Sequence, residues 1–164
     1  MANKTSWASG RLFGDLAWHP GFSTETNSLT STSAVLSNVT FANNTGLDQL
    51  VDVSLVATAS ATYSPGAGAG VNIWLAMLAG DGTTYGDGRM STTPTAVYVP
   101  PWFGFAWFPC GIGTSLPTST PIVGTVPGLA IPPGSFKLVV QNLLGFTVSV
   151  LQVYLRSYDQ DLNA

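Results

Sequence analysis

LAIPPGSFKLVVQNLLGFTVSVLQVYLRSY, residues 129–158, is the stretch whose reading decides the fold of this chain. A Pro-Pro-Gly lead-in precedes an apolar run, a short break and a second apolar run. Phe136, Leu138 and Val140 alternate with Lys137, Val139 and Gln141, the period of two that marks a strand with one buried face. Residues 141–145 supply a turn, because Asn142 and Gly145 tolerate positive φ. Phe146, Val148 and Val150 resume the alternation around Thr147 and Ser149. Apolar parity then moves to Leu151, Val153 and Leu155, which predicts a β-bulge near Val150 and Leu151. The two runs read as a hairpin that closes the domain.

At 164 residues the chain is most simply one domain, long enough to bury a full core. Hydrophobic residues make up 45%, but charged residues only 8%, about a third of the usual ~25%. Polarity comes instead from Ser, Thr, Asn and Gln, a composition that disfavours exposed helices. So few surface charges also suit a surface covered by other protein, and a homo-oligomer, dimer or trimer, is expected. The net charge is −3, and the five cations Lys4, Arg11, Arg89, Lys137 and Arg156 are scattered, so no nucleic acid is expected as partner. No apolar run approaches the ~18 residues of a membrane helix. MANKTSWASG, residues 1–10, has no apolar signal core, so synthesis in a reducing cytoplasm without a signal peptide is expected. One cysteine, Cys110, leaves no internal disulfide.

Residues 1–30 hold few apolar positions beyond Trp7, Leu12, Phe13, Leu16, Trp18 and Phe22, and read as an extended N-terminal arm. Within them Trp18-His19-Pro20-Gly21 reads as a turn. Residues 31–164 form the expected sandwich domain. Short strands are expected between Leu29 and Ala42. A strand of about ten residues starts at Val51, where Val51, Val53 and Leu55 alternate with Asp52 and Ser54. Residues 71–78 are apolar on both faces, which implies a central or covered strand. Residues 64–70 and 81–88 are Gly-rich loops, and within Pro109 to Pro127 only Ile122 and Val123 suggest a weak edge strand. With roughly seven to nine short strands and no helix, the prediction is an all-β antiparallel β-sandwich. A jelly roll is the first expectation and an immunoglobulin-like sandwich the second.

No catalytic, cofactor-binding or metal-binding constellation stands out, and an enzyme is not expected. His19, the only histidine, has Asp15 as its nearest acid but no Gly-x-Ser-x-Gly nearby, so it reads as a turn or contact residue. One His and one Cys cannot make a three- or four-ligand zinc site. Cys110 has no neighbouring base in sequence to favour its thiolate and reads as a small hydrophobe. Asp81, Thr83 and Asp87 offer oxygen ligands but depart from a calcium loop, so a Gly-Asp turn is the better reading. Glu25, the only glutamate, lies in a Ser/Thr-rich segment that reads as exposed, a poor place for a raised-pKa acid. The aromatic segment 98–108 is the most informative feature. Phe103, Phe105 and Trp107 share one strand face, Trp102 and Phe108 the other; one face belongs in the core and the other partly in an interface.

Two units, residues 71–88 (VNIWLAMLAGDGTTYGDG) and residues 131–142 (IPPGSFKLVVQN), followed by a terminal strand, resemble small β-sandwich virion proteins of tailed bacteriophages. The jelly-roll cement, or decoration, proteins of capsids are the nearest in kind. The resemblance covers roughly half the chain, between Val51 and Tyr158, and lies in strand and turn patterns. It implies a protein on the capsid surface of a virion, made in the host cytoplasm, that binds and bridges major capsid proteins and stabilises the head. Trp7, Leu12, Phe13 and Trp18 of the arm, with Trp102 and Phe108, are the expected contact residues. The alternative is a phage tail or fibre protein or a carbohydrate-binding sandwich, with Trp102, Trp107 or Tyr85 stacking on sugar.

Overall fold

The computed structural model describes residues 4–6, 18–43, 49–86, 91–93, 95–96, 104–110, 117–118 and 120–161. Within them run β1 (Lys4–Ser6), β2 (His19–Pro20), β3 (Ser33–Leu36), β4 (Phe41–Asn43), β5 (Leu50–Ala59), β6 (Gly70–Met77), β7 (Thr95–Ala96), β8 (Gly104–Pro109), β9 (Pro121–Ala130), β10 (Gly134–Asn142) and β11 (Val148–Asp161), and no helix occurs among the described residues. One sheet has the order β1-β11-β5-β9, with β2 also on β11; the other has β7-β3-β10-β6-β8, with β4 also on β10. Every pairing is antiparallel. The inner faces meet in one core. Val51, Val53 and Leu55 of β5 and Leu151, Val153 and Leu155 of β11 face Val71 and Ile73 of β6 and Phe136, Leu138 and Val140 of β10. The chain is the all-β sandwich its alternating apolar residues predict.

The expected hairpin does not form. β10 lies between β6 and the β3/β4 pair in one sheet, while β11 lies beside β5 in the other, so residues 143–147 cross from sheet to sheet. The crossing is held by Asn142, whose side chain is fully buried. Its Nδ2 donates to the carbonyls of Leu29 (2.9 Å) and Phe146 (2.8 Å), and its Oδ1 accepts the Leu144 amide (2.9 Å). Its backbone carbonyl accepts the Thr32 amide at 2.7 Å. Thr32 has φ 65, a left-handed conformation that β-branched residues rarely adopt. The β-bulge is present but falls between Val148 and Val150, one residue earlier than expected.

The arm boundary also moves. From Trp18 onward the chain is part of the sandwich and runs antiparallel along β11. The Gly21 amide donates to the Val153 carbonyl, Ser28 to Ser149, and Val148 to Leu29. Phe22 and Leu29 are core residues. Trp18-His19-Pro20-Gly21 is therefore not a turn: His19–Pro20 is a strand, paired with Tyr154 and Leu155. Trp7, Leu12 and Phe13 lie outside the described residues.

β9 is a ten-residue strand where the sequence suggested two weak positions. It stays at a sheet edge because of proline. The Ile131 amide donates to the Gln49 carbonyl, so by alternation the backbones of Val126, Gly124 and Ile122 turn toward β5. Those of Pro121, Val123 and Thr125 turn to the open edge, where proline has no N–H to offer. Pro127 sits in a bulge between the Val51 and Val53 pairs. On β8 the Cys110 amide donates to Ala69, which by the same alternation turns Pro109 outward. Prolines thus blunt both neighbouring edges against strand addition. Between them Phe108 packs against Gly124, where a Cβ would stand 2.7 Å from the ring.

Two outcomes follow from these contacts. Asn142→Ala takes their side-chain partner from the buried Leu144 amide and the Phe146 carbonyl, and one of its two donors from the Leu29 carbonyl, and is expected to cost about 2–3 kcal/mol in urea unfolding; a loss under about 0.5 kcal/mol would show that the crossing does not depend on it. Replacing Pro109 and Pro121 together by Thr restores two edge donors, and sedimentation velocity should then show self-association beyond that of the parent chain; an unchanged profile contradicts the edge assignment.

Candidate interaction surfaces

The outer faces of the two sheets differ. On the six-stranded sheet Ala34, Leu36, Trp74, Ala76 and Val139 form a second apolar cluster, buried with Tyr85 packed against it. Tyr85 returns from the β6 loop, bridged to Leu78, and Lys137 Nζ sits 4.9 Å from its ring centre. The loop tip is closed by Asp81, whose carboxylate accepts the amides of Thr83 and Thr84 (both 2.9 Å) and the Thr84 hydroxyl. Those bonds, the Thr84 hydroxyl first, lower its pKa to about 2. Its oxygens close a turn, as the sequence reading preferred, while Asp87 lies outside the described residues.

The outer face of the five-stranded sheet carries no such cover among the described residues. Cross-strand pairing arranges it in rows. The first is Pro121, Thr58 and Val150; the second is Val123, Val56 and Gln152; the third is Thr125, Ser54 and Tyr154. Val123 is 63% exposed and Val150 43%. Hydroxyls knit the third row, Thr125 Oγ1 donating to Ser54 Oγ and that hydroxyl donating to the Gly124 carbonyl. The fourth row holds the only charges among the described side chains of this ladder, and they neutralise each other. Arg156 Nη2 donates to Asp52 Oδ2 at 2.7 Å, and the Gly128 amide donates to Asp52 Oδ1 at 3.0 Å. Trp18 covers the guanidinium, with its ring centre 4.7 Å from Cζ. Beside them Tyr158 has its pKa raised, by burial first and then by the Asp52 carboxylate.

The residues expected to make contacts are thus separated. Trp18 lies at one end of this face, 37% exposed. Phe108 is corrected: it is buried in the core with Ala106, Phe105 packs half-buried against the same core, and Trp107 is the exposed aromatic of β8. Trp102 and Phe103 lie outside the described residues. A register shift between the Ile73 and Trp74 pairs lies beside Phe105 and changes the local parity. His19 is half-buried in β2, opposite Leu155. Cys110 is half-buried, and burial pushes its thiol up, away from the reactive thiolate. Among the described residues no three or more His, Cys, Asp or Glu side chains gather as a metal site, and no helix is long and apolar enough to cross a membrane.

Glu25 is also corrected. It is buried rather than exposed, and its carboxylate accepts the amides of Ser23 and Thr24, both at 2.7 Å, and that of Asn38. It fastens the N-terminal segment to the excursion between β3 and β4. Burial raises its pKa, but the backbone donors outweigh burial and the net shift is downward. No protein-family model, curated protein or solved structure matches the chain.

The direction of the Glu25 shift fixes a pH dependence. A carboxylate whose folded pKa is depressed contributes stability above its unfolded value, here 4.5, and loses it as pH falls through the folded value. Hydrogen exchange at the Asn38 amide should therefore accelerate on acidification below pH 4.5. Glu25→Gln should abolish that acid-dependent step and cost about 1–2 kcal/mol at neutral pH. An Asn38 amide whose exchange, corrected for intrinsic rate, ignores pH would contradict the assignment.

Proposed function

We propose that this chain is a structural virion protein, a cement or decoration protein on the capsid surface of a tailed phage. It binds and bridges major capsid proteins, as a homo-oligomer, and stabilises the head. The observation that carries the reading is the outer face of the five-stranded sheet: rows of Val, Thr, Ser and Pro with Gln152 and Tyr154, whose only charges among the described side chains, Asp52 and Arg156, are paired with each other. Such a face can be covered without stranding an unpaired charge, the chief penalty of burying polar surface in an interface. On the opposite outer face the apolar cluster of Ala34, Leu36, Trp74, Ala76 and Val139 is already packed by Tyr85 from the chain's own loop.

The strand order supports the same reading. With β1 and β2 as one edge element, the first sheet runs N-terminal strand, β11, β5, β9; with β3 and β4 as one, the second runs β3/β4, β10, β6, β8. Read as eight strands, with the two-residue edge strand β7 set aside, the order fits two interlocked Greek keys, and on that reading we take the sandwich to be a jelly roll, an architecture used by viral capsid and lectin domains. Fold alone does not assign function, so weight rests on the face and on the resemblance of residues 71–88 and 131–142 to phage virion proteins.

Val123→Asp with Val150→Asp places charge on the two most exposed apolar positions of the face and is expected to leave the sandwich folded. Occupancy on purified phage heads should fall by about tenfold or more. Occupancy equal to the parent's would rule out this face as the capsid contact.

A further inference from the structure

On the outer face of the six-stranded sheet, next to the apolar cluster around Tyr85, one cross-strand row differs in kind. Trp107 of β8 stands opposite Asn72 of β6, and Asn72 stands opposite Gln141 of β10. Trp107 is 40% exposed, Asn72 is half-buried and Gln141 is 3% exposed. The indole fills the space beside Gly70: a Cβ there would stand 2.4 Å from Cη2 and 2.5 Å from Cζ2. The backbone of β6 therefore holds the ring from one side while much of it meets solvent. Neither the Asn72 nor the Gln141 side-chain amide hydrogen-bonds to another described residue. Neither amide is among the side-chain groups sealed from solvent without a partner, so both keep donors and acceptors that a ligand on this face can meet.

We propose that this row binds a neutral oligosaccharide. One sugar ring stacks on the free surface of Trp107, which presents a rigid apolar plane to the C–H groups of a pyranose. The amides of Asn72 and Gln141 then meet its hydroxyls and those of the next ring. Adjacent strands lie ~4.8 Å apart, so the row from Trp107 to Gln141 spans about 10 Å, the reach of a disaccharide. An amide offers both a donor and an acceptor, as a hydroxyl does. No charged side chain belongs to the row, which excludes the cation that an acidic sugar would need. The nearest described cation on this face, Lys137, is engaged over Tyr85. The row lies on the sheet opposite the bare face, so it does not rest on the capsid reading.

The test uses the full chain, fluorescently labelled, on an array of neutral gluco-, galacto-, manno- and chito-oligosaccharides, acidic glycans and proline-rich peptides, followed by calorimetry with each captured sugar. Capture of at least one neutral glycan is expected. Trp107→Ala should weaken it by about tenfold or more, Trp107→Tyr should retain part of it, and Asn72→Ala should weaken it with the melting temperature unchanged. Trp18→Ala, on the other sheet, should bind as the parent does. The proposal is overturned if no neutral glycan is captured, if capture is undiminished in Trp107→Ala, or if only acidic glycans or proline-rich peptides bind.

Discussion

Asn142 is the constraint from which the rest of the architecture follows. A buried amide must be paired on both its oxygen and its nitrogen, and here the partners are backbone groups of Leu29, Leu144 and Phe146. Two of these belong to the crossing from β10 to β11, and the third to the N-terminal segment as it leaves β11 for β10. One side chain therefore fixes both passages between the sheets on this flank. The opposite flank uses packing instead, with Phe108 of β8 set against Gly124 of β9. The sandwich is closed by a polar clasp on one side and an aromatic plug on the other.

Once the sheets are set in this way, their outer faces have unequal fates. The long connection after β6 folds Tyr85 back over Trp74, Ala76 and Val139 and removes that apolar surface from water. The five-stranded sheet has hydroxyls, valines and one self-contained ion pair on its outside. A sheet of this kind presents area without net charge, while the prolines of β8 and β9 keep the neighbouring edges of the two sheets from acting as templates. On the proposed reading the chain offers this face for contact and withholds its edges, a division of surface suited to a building component.

Much of this was legible in the sequence, because period-2 alternation reports directly on which side chains point inward. Val51, Val53 and Leu55, and Leu151, Val153 and Leu155, announce their strands and their buried sides, and the parity change near Val150 announces the bulge. Alternation does not report which strand is the neighbour. A hairpin and a sheet-to-sheet crossing place the same residues inward, so Asn142 read as a turn residue when its work is done by its side chain. β9 was hidden for a different reason: Pro121, Pro127 and two glycines look like a loop until one knows that the strand has an open edge where a missing N–H is harmless. Phe108 was assigned outward because two alternating faces of similar hydrophobicity cannot be ranked without Gly124 beneath one of them. Glu25 read as exposed because its partners are backbone amides, which leave no mark on composition.

The central claim is that the outer face of the five-stranded sheet is the surface that meets the shell, and hydroxyl-radical footprinting of the protein free and bound to purified heads measures this most directly. The account predicts that oxidation of Val123, Val150 and Tyr154 is suppressed on binding while Trp107 stays as reactive as in the free protein. Protection of Trp107 with Val123 and Val150 unchanged would contradict it.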